Sequence, residues 1–326
     1  MILPASPAAI EQAAQALRAG ELVALPTETV YGLGADACQD AAVARIFAAK
    51  GRPADHPLIV HVACSAQVPE YADQVPDFAQ RLMAAFWPGP LTLILPRRQG
   101  VAAAAAGGQN SIGLRCPSHP VAQALLRAAG VGLAAPSANQ FGRVSPTTAA
   151  HVEAEFGRDL LILDGGPCAV GIESTIVDCT RGAPVLLRPG SITRAHIEQA
   201  CGQLLRSPES MAQAAQAAPR ASGTLASHYA PRAKLKLMDA GEIEQRLASL
   251  GVHASNLGLW CRHRPTDLGA GVYWLAQPSE SEAAAQSLFA ALRELDARGV
   301  QQIWVELPPD TPDWEGVRDR LKRAAA

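Results

Sequence analysis

The sequence lacks most of the features by which large protein classes announce themselves. Aromatic residues make up 5% and charged residues 18% of its 326 positions, and the formal net charge is −2. A dedicated nucleic-acid binder presents a strong basic excess, so any RNA contact here is expected to be local and weak. Seven cysteines, at 38, 64, 116, 168, 179, 201 and 261, form no Cys-x-x-Cys pair and no Cys/His cluster at zinc spacing, which argues against a structural zinc site or a disulfide framework. They are expected to be reduced, mostly buried thiols of a cytoplasmic protein. No stretch approaches the roughly 18 apolar residues of a membrane span, and no basic N-terminal segment leads into an apolar one; the expectation is a soluble chain without an anchor. Also missing are G-x-x-x-x-G-K-[ST], G-x-G-x-x-G and H-E-x-x-H, so a bound nucleotide would be held by scattered side chains rather than by a glycine-rich phosphate loop.

What is present is a globular composition, 48% hydrophobic and rich in Ala, Gly and Pro, with chain enough for two domains. Ser6-Pro7, with Ile10, Ala13, Ala14 and Leu17 on one face and Gly20 as a stop, reads as a capped amphipathic helix leading into a strand at 22–25. A second helix starts at Asp40, and Leu58-Ile59-Val60-His61-Val62 is an apolar run suited to an interior strand. Further strands are expected at 91–95, 112–114, 131–135, 160–163, 175–177 and 185–187, with helical patterns between several of them. This makes residues 1–202 one α/β domain.

Ser, Ala, Gln and Pro dominate from 203 to 230, so 203–234 reads as an interdomain linker. In 235–326, strands at 235–238, 257–261, 272–275 and 303–307 alternate with helices near 242–250, 280–298 and 314–324. The alternation predicts a small parallel, Rossmann-like sheet without a phosphate loop. Ser279 and Glu282 have capping-box spacing ahead of an apolar face at Ala284, Leu288, Ala291 and Leu295.

The most informative segment is PTETVYGLG, 26–34, directly after a strand. Threonine hydroxyls can hydrogen-bond a polar ligand, and glycines permit close backbone approach and positive φ; an ordinary turn in which the threonines satisfy local amides fits the same residues. Lys50 and Arg52 follow a helix, with Pro53, His56 and His61 close behind. Two cations at i and i+2 can grip successive phosphates, or complement the helix C-terminus. His61 in its apolar strand is either a buried neutral histidine or a substrate contact. Ser111 and Arg115 flank a short strand, and Arg115 can hold a carboxylate bidentately. Ser137, Asn139 and Ser145 offer short polar groups for phosphate or base edges, although Pro-Ser-Ala-Asn is also a respectable turn. Ser174, in GIESTIVD, and Arg188, in LLRPG, complete a pocket or cap a hairpin.

Taken in order, PTETVYGLG, KGRPxxxPLIVH, PSAN, GxxSTIVD and LRPG resemble the YrdC-like family of threonylcarbamoyl-AMP synthases over about residues 8 to 200. The later ASHYAP, 226–231, and the α/β region after it resemble the longer, two-domain form. The resemblance implies an α/β fold with an N-terminal YrdC-like twisted sheet domain. It also implies a nucleotidyltransferase that joins L-threonine, bicarbonate or CO2, and ATP into threonylcarbamoyl-adenylate and pyrophosphate, with Mg2+ accompanying the triphosphate. A downstream transferase then modifies adenosine 37 of ANN-decoding tRNAs. By the same resemblance Thr29, His61, Arg115 and Ser174 line the threonine site, Arg115 clamping the carboxylate. Lys50, Arg52, His56, Ser111, Ser137, Asn139, Ser145 and Arg188 serve the nucleotide, with Lys50 and Arg52 as the catalytic pair. No protein ligand to the metal is implied.

Many relatives carry Asn where this chain has His56, and Pro-Gly-Met where it has Ser222-Gly223-Thr224. His228 and Tyr229 are candidates to close over the nucleotide as a lid. The competing class is a double-stranded RNA or tRNA-binding factor without adenylating activity, which the net charge disfavours. A carbamoyl-transfer module of the hydrogenase-maturation type would need zinc-finger cysteines and an acylphosphatase-like segment. For the C-terminal domain a regulatory or lid-anchoring role is expected.

Overall fold

The computed structural model describes residues 1–326 except 209, 211–217, 251–254 and 267; part of the expected linker thus lies outside the described residues. The chain divides into one unit of Met1–Phe141 with Ser145–Thr224 and a second of Gly142–Val144 with Leu225–Ala326.

The first unit is built on a ten-stranded mixed sheet. Its strands are β1 (Ile2–Pro4), β2 (Val23–Leu25), β3 (Gly32–Asp36), β4 (Ile59–His61), β5 (Leu91–Pro96), β6 (Ser111–Arg115), β7 (Leu133–Ala134), β8 (Leu161–Asp164), β9 (Thr175–Asp178) and β10 (Val185–Arg188), in the order β1-β8-β2-β3-β7-β4-β6-β5-β9-β10. β4 lies parallel to β6 with His61 opposite Arg115, β5 is antiparallel to β6 and parallel to β9, and β9 is antiparallel to β10.

Strand alternation divides this half of the sheet into two chemically distinct faces. Val60, Leu91, Leu93, Leu95, Ile112, Leu114, Val177 and Leu186 point one way, into the main hydrophobic core. Ile59 and His61, Thr92 and Ile94, Ser111, Gly113 and Arg115, Ile176 and Arg188 point the other way. The second set contains five of the seven polar residues of these strands, Thr175 and Asp178 being the other two.

Helix α1 (Pro7–Arg18) begins as expected: the Ser6 hydroxyl accepts from Ala9 N at 3.2 Å, a cap worth about 1 kcal/mol. It buries Ala9, Ala13, Ala14 and Leu17. Helix α2 (Asp40–Lys50) ends at Gly51, whose φ of +60° turns the chain out of the helix. The first unit also contains α3 (Val68–Tyr71), α4 (Asp77–Phe86), α5 (Pro120–Ala129), α6 (Ala149–Phe156) and α7 (Arg194–Cys201). β1 and β3 were not expected. β3 consists of the end of the PTETVYGLG motif, and its two glycines do not take positive φ. Gly34 is required by packing instead, since a Cβ there would lie 2.9 Å from Leu25 Cδ2.

The second unit holds a four-stranded, wholly parallel sheet. β11 (Lys234–Met238), β12 (Leu257–Cys261), β13 (Val272–Ala276) and β14 (Gln302–Glu306) run in the order β11-β14-β12-β13, accompanied by α8 (Ala240–Leu250), α9 (Ser281–Ala297) and α10 (Glu315–Ala324). Ala284, Leu288, Ala291 and Leu295 are buried on α9 as their spacing predicts, but the helix starts with Glu280 as its N-cap residue and without a side-chain cap. The Ser279 capping box is therefore not formed, because the helix begins one residue too late for it.

Among the described residues all seven cysteines are free, five of them buried. No helix there is long and apolar enough to cross a membrane.

Candidate active site

The polar face of the sheet is the floor of a pocket lined by Pro57, Leu58, Ile59, Thr92, Ile94, Gln109, Ser111, Gly113, Ile176 and residues 220–222. Gly113, in the middle of β6, is part of this lining. A Cβ there would meet Ile59 and Thr92 at ordinary van der Waals distances of 3.5 Å, so the glycine makes room above the sheet rather than relieving a clash.

At one end, the C-terminal residues of β4 and β6 bring His61 and Arg115 together, 3% and 4% exposed. Arg115 Nη1 donates to Thr29 Oγ1 at 2.8 Å, Nε donates to Gly89 O at 3.3 Å, and Nη2 lies 2.6 Å from Glu28 Oε1. His61 Nδ1 is buried without a hydrogen-bond partner. Burial, and next the charge of Arg115, push the His61 imidazole down to about 3. Of the two expectations for His61, the structure gives the buried neutral imidazole, standing at the end of the polar face.

The two threonines of the loop before β3 divide the alternatives between them. Thr27 behaves as a turn residue, donating to Val30 O at 2.6 Å and accepting from the amides of Thr29 and Val30. Thr29 reaches Arg115.

On the neighbouring strands Ser174, one residue before β9, shares a hydrogen bond of 2.7 Å with Thr92, which the β5–β6 register sets opposite Arg115. Arg188 donates to Ser174 O and Oγ, and through Nη1 to Ser222 O at 2.9 Å. Arg52 donates to Pro57 O at 2.9 Å and to Ser222 Oγ at 3.3 Å, with its guanidinium 5.5 Å from the Phe141 ring. His56 stands edge-on to the same ring at 5.4 Å. Arg52, His56 and Arg188 are thereby gathered around the segment at 220–222. Ser145 donates to Glu173, and both are buried.

Lys50, 2% exposed, donates to Ser137 O at 2.6 Å and to Asn139 O. Burial, and next Arg52, hold its ammonium well below the ordinary lysine range. The expected pairing of Lys50 and Arg52 as adjacent phosphate grips is modified by this geometry: Lys50 ties the helix end to the Pro-Ser-Ala-Asn loop, while Arg52 turns to the pocket wall. That loop is stitched to the threonine loop by Leu33 N to Pro136 O and Ala138 N to Tyr31 O, each 2.8 Å.

His228 and Tyr229 belong to the second unit and are buried there, the Tyr229 ring 5.5 Å from Phe289 and 5.4 Å from the Arg320 guanidinium.

Glu28, Thr92, Gly113 and Phe141 were not singled out from the sequence. Two of them left a signal: Thr92 interrupts an otherwise apolar strand, and Gly113 stands in the middle of one, where glycine marks a close approach. The single lysine among the first 233 residues is Lys50, a stronger pointer than its spacing to Arg52.

Comparison with known proteins finds relatives for both halves of the chain. A family model described as Telomere recombination (Sua5, YciO, YrdC) matches residues 15–190, and one described as Threonylcarbamoyl-AMP synthase, C-terminal domain, matches 192–326. The threonylcarbamoyl-AMP synthases of Pyrococcus abyssi and Bacillus subtilis are 39% and 40% identical to it, each over 97% of this chain and over 94% and 92% of their own. The crystal structure of P. abyssi Sua5 complexed with L-threonine superposes with a TM-score of 0.89 at 37% identity, covering 100% of this chain and 97% of that one. With both halves matched and the similarity running end to end, the chain belongs to the threonylcarbamoyl-AMP synthase family in its two-domain form.

Proposed function

We propose that the sheet pocket forms threonylcarbamoyl-adenylate, with threonine at the His61–Arg115 end and ATP towards Arg52 and Arg188. The observation that carries this reading is the segregation of His61, Arg115, Ser111, Thr92 and Arg188 on one sheet face around the side-chain-free Gly113.

Arg115 supplies a fixed planar fork for the threonine carboxylate, and neutral His61 meets a hydroxyl without bringing charge into a buried site. Bicarbonate or CO2 converts the threonine amine to a carbamate, whose oxygen attacks the α-phosphorus; pyrophosphate leaves with the electron pair of the broken P–O bond. The carbamate is already nucleophilic, so the residues act chiefly by alignment and by neutralising phosphate charge. Arg52, Arg188, Ser111, Ser145 and His56 fit the nucleotide side as donors. Lys50 fits as the residue that shapes the Ser137–Asn139 loop against it.

Among the described residues no three His, Cys, Asp or Glu side chains are grouped to hold a metal. Mg2+ would accompany the triphosphate and its waters, as is usual for this ion, and would supply charge neutralisation on the phosphates. The adenylate would pass to a tRNA-modifying transferase, any contact with tRNA itself being weak.

Steady-state kinetics test the assignment. Arg115→Ala should raise KM for threonine with little change in KM for ATP, and Arg52→Ala should do the reverse. Equal effects on both substrates in both variants would contradict the division of the pocket.

A further inference from the structure

We infer that Glu28 is a positioning residue for the amino-acid substrate: its carboxylate holds the Arg115 guanidinium so that the remaining fork faces the substrate carboxylate. The inference rests on the proposed role of Arg115 and goes beyond it by naming the group through which that role is exercised.

The first step is a count of donors. A guanidinium carries five N–H groups. In this structure Nε is turned to Gly89 O, one hydrogen of Nη1 goes to Thr29 Oγ1, and Nη2 is paired with Glu28 Oε1. The contact to Glu28 is an ion pair without an aligned hydrogen bond, both Nη2 and Oε1 being buried with no hydrogen-bond partner; Nη1 thus keeps one N–H and Nη2 both of its own, enough for the two that a carboxylate needs for bidentate binding. Were Glu28 removed, Nη2 would lose its anchor, and rotation about the last side-chain bonds would be limited by Thr29 and Gly89 alone.

The second step concerns how Glu28 is itself held. Its other oxygen accepts from Ser118 N at 3.1 Å, and its backbone carbonyl accepts from Val170 N at 2.7 Å. The side chain is buried, at 9% exposure, against 5% for that of Arg115. Ser118 follows β6 by three residues, and Glu28 lies between Thr27 and Thr29 in the loop before β3. The carboxylate therefore ties together the two segments that carry the arginine and its threonine partner.

The third step is charge. An unpaired arginine buried beside His61 would be costly, and a neutral imidazole offers it nothing. With Glu28 in place the empty site is neutral, and the arginine is pre-oriented before substrate arrives. Reorientation then costs nothing at the moment of binding.

The test compares binding of L-threonine with that of L-threoninamide, which keeps the hydroxyl and amine but lacks the carboxylate, by calorimetry on the full chain in the presence of a non-hydrolysable ATP analogue. The variants are Glu28→Gln, Glu28→Asp and Arg115→Gln. If Glu28 acts through Arg115, the wild-type preference for threonine falls by about tenfold or more in Glu28→Gln, as expected when a charge-assisted contact is misaligned. Binding of threoninamide and of the ATP analogue stays within about twofold, and Glu28→Asp recovers part of the preference by keeping the charge.

A purely structural role predicts instead that threonine and threoninamide weaken together in Glu28→Gln, and that result overturns the inference. An unchanged preference in Glu28→Gln with a lost one in Arg115→Gln also overturns it, while leaving the site assignment standing. An unchanged preference in Arg115→Gln removes the assignment on which it rests. If Glu28→Gln does not fold, Glu28→Asp carries the decision: a shorter acid must lower the preference for threonine while sparing threoninamide, and equal losses for both ligands count against the proposal.

Discussion

Acidification should destabilise this fold through one identifiable residue. His61 is buried at the end of β4 beside Arg115, and the two together push its imidazole down to about 3, from an ordinary value of 6.5. Between those values the unfolded chain binds a proton that the folded chain refuses, so stability rises with pH through this window and is lost as pH falls from 6.5 towards 3. From pH 7 to pH 5 the loss attributable to His61 is about 2 kcal/mol, taking 1.36 kcal/mol for each of the roughly 1.5 units below 6.5. Replacing His61 by Gln keeps a neutral hydrogen-bonding group of similar reach and removes the titration. Native-state hydrogen exchange of the β4 and β6 amides at the two pH values, corrected for intrinsic rates, reports the opening free energy locally. The wild type should lose about 2 kcal/mol more than His61→Gln over this interval. Equal losses in the two proteins would show that His61 is not the group refusing the proton, and with it the argument that a neutral imidazole faces the substrate would fail.

Three further outcomes follow from the geometry. Gly113→Leu fills the pocket from its floor while its Cβ finds only ordinary contacts, so unfolding free energy should stay within about 1 kcal/mol of wild type while adenylate formation is lost; a destabilised protein, or an active one, counts against the pocket. Lys50→Met leaves Ser137 O and Asn139 O without their buried donor, which should cost about 2 kcal/mol in urea unfolding and abolish turnover. Gly132→Ala would put a Cβ 2.5 Å from Tyr71 Oη, the acceptor for Gly132 N at 2.7 Å, and about 2 kcal/mol should be lost in urea unfolding.

Much of this architecture was legible before any coordinates. The first helix with its Ser6 cap, the strand bearing His61 and the parallel sheet after residue 234 all follow from period and punctuation, since their apolar stripes are long or their caps explicit. The boundaries moved by one or two residues, as at Leu133–Ala134, where only two residues of an expected five pair as a strand. β1 and β3 were hidden for different reasons. Ile2–Pro4 is too short to show alternation, and Gly32–Asp36 carries two glycines that resemble a loop until their packing against Leu25 and Ala135 is seen.

For the site, residue type and order pointed to the right segments, but roles depend on what each side chain meets across the sheet. Thr27 and Thr29 are indistinguishable in sequence, and only one faces Arg115. Lys50 reads as a phosphate grip or a helix-end charge, and its spacing to Arg52 does not show that two of its three ammonium hydrogens go to carbonyls of a loop nearly ninety residues away. Glu28 carries no signal of its own in the sequence, because its place depends on an arginine nearly ninety residues away.

The most direct test of the central claim is pyrophosphate release by the full-length protein from Mg-ATP and bicarbonate, with the nucleotide product identified by mass. L-threonine, L-serine, glycine and no amino acid should be compared side by side. Release that depends on threonine, with threonylcarbamoyl-adenylate as the product, is the predicted result. Folded protein that releases none, or releases it equally without an amino acid, would contradict the account.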